Sequence, residues 1–263
     1  MSNADLEFRL RQAVNEIKVQ DGVDISVRDK SKSLIKFGRN NDVGTTEETV
    51  WAQGGKETYA TDNDIDSISS SNAGDAQSVV IEGHTLSGSD LTFVVQTATL
   101  NGQTPVTLST PLYRATRVYN DDSTDFAGDI YVFESGGTVT AGVPQTATDI
   151  HLKVLAGDDN QSLKCATSLS SQDYWLLTGA YIGVNRQNTR SVDFRIKVRR
   201  FGKVFRTIVP PLAASNESGT RFVPFDPVII VRPNSDVRID ATSSGTATGV
   251  SAGLQGYLAN VIS

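Results

Sequence analysis

One stretch of the chain reads Ser191-Val192-Asp193-Phe194-Arg195-Ile196-Lys197-Val198-Arg199-Arg200-Phe201-Gly202-Lys203-Val204-Phe205-Arg206-Thr207-Ile208-Val209. From Val192 to Val198, apolar residues alternate with charged ones, which is the period-two pattern of a strand with one buried face and one wet face. The tripeptide Phe201-Gly202-Lys203 marks a turn, and a second apolar run returns after it. The stretch therefore predicts a β-hairpin, and we interpret the chain around it as sheet packed on sheet.

The composition favours a mainly β protein and argues against several other classes. A length of 263 residues suits one large β domain or two smaller ones. The net charge of −6 argues against nucleic-acid binding, because neutralising phosphates requires clustered Lys and Arg. No apolar run approaches the roughly 20 residues that span a bilayer, and no signal-peptide pattern is present. With Cys165 as its single cysteine, we expect a chain folded in a reducing cytoplasm, without a membrane partner.

Residues 4–19 have the spacing of an amphipathic helix. Leu6, Leu10, Val14 and Ile17 recur at helical intervals, with charged residues between them. This helix lies either on its own domain or, as an arm, on a neighbouring subunit. Either way, the apolar stripe predicts a contact surface.

The remainder of the chain reads as short strands separated by turns. Turn signals recur about every ten residues from residue 79 onward, which is typical of a sandwich or barrel. The predicted fold is mainly β: an N-terminal helical arm followed by two β-sandwich units, the second of them jelly-roll-like. The predicted domains are an arm over residues 1–36, a β domain over 37–160 and a jelly-roll-like sandwich over 161–263.

The residues that could support catalysis are few and are spread along the chain. His84 follows a glycine in a turn and His151 starts an apolar strand, so the two cannot form a three-histidine zinc site. Ser251 lies in a Gly-x-Ser-x-Gly pattern, but no histidine follows it and the next residues predict a strand. We interpret Cys165 as a small buried apolar residue. The sequence predicts no catalytic residue.

The acidic loops do not match a known calcium motif. Residues 121–132 carry oxygen side chains at the first, third and fifth positions of an EF-hand loop, but Phe126 and Val132 replace the required Gly and Glu. Residues 62–66 fail in the same way. We predict no metal and no cofactor. A pair of carboxylates acting on glycosides stays open, because such pairs meet in space rather than in sequence.

The polar face of the predicted hairpin is basic. Arg195, Lys197 and Arg199 alternate with buried positions, while most of the other loops are acidic. One interpretation is an outward face that charge keeps soluble. The other is complementarity with an acidic neighbour or with an identical subunit.

The segment Gly38-Arg39-Asn40, followed by Val50-Trp51 and Gly54-Gly55, resembles structural proteins of tailed-bacteriophage particles. Shorter likenesses occur at residues 99–102, 113–118, 127–130, 156–163 and 253–258. The resemblance implies a virion component with β-sandwich domains, on the capsid or at the head–tail region. It implies no catalytic residues.

From the resemblance and the β-rich pattern we expect a non-enzymatic virion protein, a capsid decoration or cement protein that stabilises the head. Its expected partners are the major capsid protein and copies of itself, most simply as a trimer. The expected contacts are the stripe of residues 6–17, the Trp51 loop and the basic face. A neck, tail or fibre component, contacting portal or tail proteins, is the alternative. A host-glycan module or hydrolase is the alternative from another class, with a sugar site lined by Tyr59, Trp175, Tyr181 and Tyr257.

Overall fold

The computed structural model describes residues 32–157, 159–184, 190–215 and 219–260. The predicted helix over residues 4–19 and its stripe of Leu6, Leu10, Val14 and Ile17 lie outside the described residues. Within those residues the chain is mainly β, as predicted, and its paired strands run antiparallel. No helix among them has the length and hydrophobicity needed to cross a bilayer.

The strands join in four larger sheets and one small hairpin. In chain order they are β1 (Lys32–Val43), β2 (Glu48–Thr49), β3 (Ile65–Ser70), β4 (Ser78–Ser87), β5 (Asp90–Thr99), β6 (Val106–Leu112), β7 (Arg114–Asn120), β8 (Ile130–Glu134), β9 (Val139–Thr140), β10 (Val143–Pro144), β11 (Ile150–Val154), β12 (Ala166–Ser168), β13 (Asp173–Val184), β14 (Ser191–Arg200), β15 (Arg206–Thr207), β16 (Leu212–Ser215), β17 (Arg221–Val231), β18 (Ser235–Ser243) and β19 (Thr248–Asn260). A short 3-10 helix, Ala147–Asp149, precedes β11.

Two sandwiches account for the two largest clusters of buried apolar side chains. In the N-terminal sandwich, the sheet β11-β8-β3-β6 packs on the sheet β5-β4-β7, and the core includes Ile65, Ile81 and Leu152. In the C-terminal sandwich, β1-β19-β13-β17, here called the outer sheet, packs on β12-β18-β14-β15, here called the inner sheet. Trp175 and Phe194 are fully buried between these two sheets. The burial of apolar side chains in these two cores supplies most of the stabilisation of the folded protein.

The predicted hairpin forms inside the inner sheet. Strand β14 pairs with β15 through Lys197 and Thr207 and through Val198 and Arg206. Gly202 lies in the turn with φ +68°, a conformation that glycine adopts without steric cost. Val192, Phe194 and Ile196 are buried in the core, as the alternation predicted.

Strand pairing corrects the predicted start of the first β domain at residue 37. Strand β1 pairs with β19 along most of its length, and β2 pairs with β18, so both belong to the C-terminal sandwich. The N-terminal sandwich, β3 to β11, is thus inserted after the first strands of the C-terminal sandwich. Local alternation shows that a segment is a strand, but the partner of the strand lies about two hundred residues away and leaves no local trace.

The strand order of the C-terminal sandwich is regular. We count β1, β12, β13, β14, β16, β17, β18 and β19 as first to eighth. The strand order of the outer sheet is then first, eighth, third, sixth. The strand order of the inner sheet is second, seventh, fourth, fifth, where the fifth strand is β16, which pairs with β14. Apart from the consecutive fourth and fifth strands, neighbours within each sheet are at least three strands apart in the chain.

The segment around Gly38 shows why a glycine follows Phe37. A Cβ placed on Gly38 would lie 2.3 Å from Cys165 N and 2.3 Å from Val50 O. Those two atoms form a backbone hydrogen bond of 2.9 Å that ties the loop after β2 to the segment before β12. Gly38 thus allows three backbone segments to meet.

We expect Gly38→Ala to lower the free energy of unfolding by about 1–3 kcal/mol, because backbone atoms cannot move aside for the added methyl group. Gly44→Ala is the matched control, since its Cβ would have only ordinary contacts, with Glu48 Oε1 at 3.4 Å and Thr46 N at 4.0 Å. Urea unfolding followed by circular dichroism measures both. An equal, small loss in the two variants would contradict the close-approach explanation.

Candidate functional site

The basic side chains of Arg195, Lys197 and Arg199 on β14 are partly buried and lie next to acidic side chains of the same chain. Strand β18 places Asp240 beside Arg195 and Asp236 beside Arg199. Arg199 Nε donates to Asp236 Oδ2 at 2.9 Å, and Lys197 Nζ lies 3.3 Å from Asp240 Oδ2. The charges that the sequence suggested for a partner are therefore paired inside this chain, and a contact with another molecule through them stays a prediction.

Asp236 is the centre of this network and joins the two sandwiches. Its Oδ1 accepts hydrogen bonds from Arg114 Nε of the N-terminal sandwich, at 3.1 Å, and from Ser168 Oγ, at 2.6 Å. Both Arg114 and Asp236 are buried. Burial alone would raise the pKa of Asp236, but the charges of Arg114 and Arg199 outweigh it and hold the pKa below its usual value. The carboxylate is therefore ionised and shared by two guanidinium groups.

Aromatic rings lie against the guanidinium groups of the network. The guanidinium carbon of Arg199 lies 4.1 Å from the centre of the Tyr59 ring and 4.5 Å from that of Phe205, and Arg238 lies 4.2 Å from Phe205. Such cation–π contacts favour a guanidinium group over an ammonium group. Tyr59 Oη also donates to Glu57 Oε2 at 2.7 Å. Tyr59 thus belongs to the network and does not form part of an open sugar site.

Asp236→Asn is expected to lower the free energy of unfolding by about 3–5 kcal/mol, because it leaves two guanidinium groups facing a neutral amide in a buried place. Asp193→Asn, on the exposed side of β14 with Arg195 at 3.9 Å, is expected to cost less than about 1 kcal/mol. Guanidinium chloride unfolding of both variants, followed by tryptophan fluorescence, gives the comparison. A loss for Asp236→Asn no larger than that of the control would mean that the network contributes little.

The groups considered for catalysis lie in separate places. His84 is buried on β4 against Phe93, with ring centres 5.4 Å apart, and His151 Nε2 lies 2.7 Å from Glu134 Oε1. Ser251 lies in the middle of β19, paired with Arg39 and Gly183, and not on a strand-to-helix turn. Burial raises the pKa of the Cys165 thiol to about 12. Among the described residues, no group of three or more His, Cys, Asp or Glu side chains could hold a metal ion.

Because His84 is buried, we expect the protein to lose stability in acid. Burial lowers the pKa of His84 to about 4, so the folded protein keeps this imidazole neutral where the unfolded chain binds a proton. The contribution of the neutral His84 to the free energy of unfolding is complete above about pH 6.5 and is lost as the pH falls toward 4. We expect the thermal midpoint to fall over this range, and to fall less steeply in His84→Phe. Differential scanning calorimetry from pH 7 to 4 tests this, and parallel curves for the two proteins would refute it.

The outer sheet carries a row of exposed apolar side chains on the face that points away from the core. Phe37 on β1 and Tyr181 on β13 both pair with Gly253 of β19, and Tyr181 also pairs with Phe222 of β17. These three aromatic side chains are 45%, 38% and 41% exposed. Residues paired across neighbouring strands share one face of a sheet. The row, here called the aromatic row, therefore crosses all four strands.

Glycines shape the surface around the aromatic row. The Phe222 ring occupies the space above Gly179, where an added Cβ would lie 2.4 Å from two ring carbons. The Tyr181 and Phe222 rings lie 4.8 Å apart, and Tyr181 Oη donates to Gln255 Oε1 at 2.9 Å. Ile35, on the same face of β1, is 56% exposed. The surface is thus apolar and ordered.

The apolar character continues toward the other end of the outer sheet. Leu176 pairs with Tyr257 and Ile230 and forms a small cluster on this face with Tyr174 and Val228. The outer sheet is therefore apolar on both faces, although only one face contacts the core. Leu176 is itself buried in this cluster, so the exposed apolar surface consists of the aromatic row and Ile35, and exposed apolar surfaces of this kind are typical of interaction sites.

The structure separates the predicted contact and sugar-site residues into buried and exposed ones. Trp51 is buried, with Nε1 donating to Gly55 O at 3.0 Å, so its indole packs within this chain, and a partner contact through the Trp51 loop stays a prediction. Trp175 is fully buried, Tyr257 is half-buried and Tyr181 is exposed. The sequence did not single out Phe37 or Phe222. The near-continuous apolar run from residue 34 to 37 was a signal that β1 has two apolar faces.

Comparisons with known proteins show only weak similarity. No protein-family model matches the chain, and no curated protein matches it. Among solved structures, it is similar to the VP2 subviral particle of infectious bursal disease virus, with a TM-score of 0.25 and 9% identity over 95% of this chain and 78% of that chain. For the Gt strain of the same virus the TM-score is 0.22, with 9% identity over 91% and 80% of the two chains. Scores at this level establish neither a shared fold nor a shared function.

Proposed function

We propose that this protein is a non-enzymatic structural component of a virion. The observation that carries the proposal is the strand order of the C-terminal sandwich. Two sheets that read first, eighth, third, sixth and second, seventh, fourth, fifth are built as a jelly roll, an architecture found in viral capsid domains, lectins and cupins. Fold alone does not assign function, so the surface has to distinguish these classes.

The proposed role within the virion is that of a capsid decoration or cement protein of a tailed phage. The stretch that runs from Gly38-Arg39-Asn40 to Gly54-Gly55 resembles structural proteins of tailed-phage particles, and this resemblance supports the role. The exposed aromatic row supports it too, because a decoration protein must present surfaces that hold neighbours. The proposed partners are the major capsid protein and further copies of this chain, assembled as a trimer.

The occupant we propose for the aromatic row is the amphipathic segment of a neighbouring copy. Strand β1 begins at Lys32 and is an edge strand of the outer sheet, so the segment before it is joined to the sheet at that edge. Twelve residues, 20–31, reach at most about 40 Å when extended, which is enough to arrive at an adjacent subunit. The apolar stripe of Leu6, Leu10, Val14 and Ile17 would then cover the row. Such head-to-tail contacts close into a ring in a trimer.

The double variant Tyr181→Ser with Phe222→Ser is expected to shift the protein from trimer to monomer, because it removes two aromatic anchors from the contact. Deletion of residues 1–19 should give the same shift. Val204→Ser, which alters an exposed apolar residue in the hairpin of β14, is the matched control and should keep the trimer. Light scattering coupled to gel filtration measures the mass. A trimer that survives both changes would contradict the proposed contact.

Electron microscopy of particles tests the placement. Density for this protein between capsomers, with three-fold or quasi-six-fold packing, is expected for a cement protein. A ring around the tail axis would instead favour a neck or tail component that contacts portal or tail proteins.

A glycan-binding module is the second candidate, because lectins share this architecture and exposed aromatic faces stack on sugars. Tyr181 and Phe222 are the residues that favour it, since both rings are exposed and ordered. A glycan array probed with wild type and with Tyr181→Ser distinguishes the two candidates. Binding that depends on Tyr181 in a monomeric protein would replace the virion role as the leading proposal.

A further inference from the structure

A cavity of about 590 Å³ lies between the two sandwiches. Strand β1 forms one wall with Leu34 and Lys36, and strands β4 and β5 of the N-terminal sandwich form another with His84 and Phe93. Its size is that of a small-molecule site, and it lies at a domain junction, where such sites occur preferentially.

The polar groups in this cavity have incomplete hydrogen bonding. Lys36 is buried, and among the described residues its ammonium group has one acceptor, Thr116 O at 2.8 Å, although it carries three N–H donors. His84 is buried, and its Nδ1 has no hydrogen-bond partner within the described part of the chain. A buried donor without an acceptor is costly, so an oxygen ligand would satisfy the remaining Lys36 donors, and also His84 Nδ1 in its protonated tautomer, where the described residues supply no acceptor.

The charges around the cavity leave Lys36 without a counter-ion. No carboxylate of the described ranges lies within the 4.0 Å of an ion pair from its nitrogen. Glu82 faces Arg117, at 3.8 Å, and the Asp173 carboxylate accepts a hydrogen bond from a serine hydroxyl. A second cation, Lys32, lines the same cavity. Although the carboxylates of Glu82 and Asp173 also line the cavity, an anionic ligand would supply the direct ion-pair partner that Lys36 lacks.

Apolar atoms make up the larger part of the cavity surface, although the hydroxyl-bearing Ser33, Thr116, Thr167 and Ser168 also line it. Leu34, Leu169, Leu258 and Phe93 contribute side chains to the walls. Small-molecule sites of this kind combine an apolar lining with a few polar groups that fix orientation. We propose that the cavity binds a small monocarboxylate with an apolar body, whose carboxylate accepts hydrogen bonds from Lys36 Nζ and from an Nδ1–H tautomer of His84.

The titration of Lys36 gives a second, independent measure of carboxylate binding. Burial lowers the pKa of Lys36 to about 8; Lys164 and Arg117 act in the same direction, while Glu82 and Cys165 oppose them. A bound carboxylate favours the charged ammonium and raises this pKa. Near pH 8.5, where part of the Lys36 population is neutral, binding should therefore take up protons. At pH 6.5 the ammonium is already charged, and no uptake at Lys36 is expected.

Isothermal titration calorimetry of the full chain with acetate, benzoate and octanoate tests the proposal, with octanamide and octylamine as uncharged and cationic controls. We expect octanoate or benzoate to bind at least about tenfold more tightly than octanamide, as hydrogen bonds from charged donors imply. Titration at pH 8.5 in two buffers of different ionisation enthalpy should show proton uptake. No binding by any carboxylate, or equal binding of the amide, would overturn the proposal.

Two variants locate the bound carboxylate. Lys36→Met should weaken octanoate binding at least about tenfold and abolish the proton uptake, while Lys56→Met, at an exposed lysine paired with Glu47, should change neither. If Lys36→Met does not fold, Ser33→Trp replaces it: Ser33 is exposed and lines the cavity, so a tryptophan there should block binding without touching a charge. Binding that both Lys36→Met and Ser33→Trp leave intact would place the ligand elsewhere and refute this site.

Discussion

The ionised carboxylate of Asp236 is the constraint on which the arrangement of the two sandwiches depends. It lies in a buried place, where a charge is tolerated only when it is paired and hydrogen-bonded. Arg114 arrives from the N-terminal sandwich and Arg199 from the neighbouring strand of the inner sheet, so the carboxylate is satisfied only when both sandwiches are in position. Such a network adds specificity of orientation more than raw stability, because desolvating the charges offsets much of their attraction.

The same arrangement creates the two surfaces that suggest function. Since the network uses the polar side of the inner sheet, it leaves the outer face of the outer sheet exposed, and Phe37, Tyr181 and Phe222 lie there. Where the sandwiches do not meet closely, the gap between them is the cavity that holds Lys36 and His84. Both surfaces therefore follow from inserting one sandwich after the first strands of the other.

Much of the fold could be predicted from local patterns, and much of the site could not. The alternation in residues 192–198 identified a half-buried strand, and its apolar half is in the core. The basic half was predicted to face a partner, and its charges also pair within the chain with Asp236 and Asp240, because a strand almost forty residues later supplies these acids. Trp51 was expected at a contact for a similar reason: an aromatic residue in a Gly-rich loop gives no indication of which side it faces.

The sequence by itself determined that the chain is mainly β, where its hairpin turns, and which side chains of β14 share a face. Only the tertiary structure decided that β1 pairs with β19, that acids of β18 pair with the basic side chains of β14 and that the exposed aromatic side chains lie in one row. The physical reason is that a period of two specifies which residues lie on the same side of a strand. What covers that side depends on contacts between residues far apart in the chain, which no local pattern encodes.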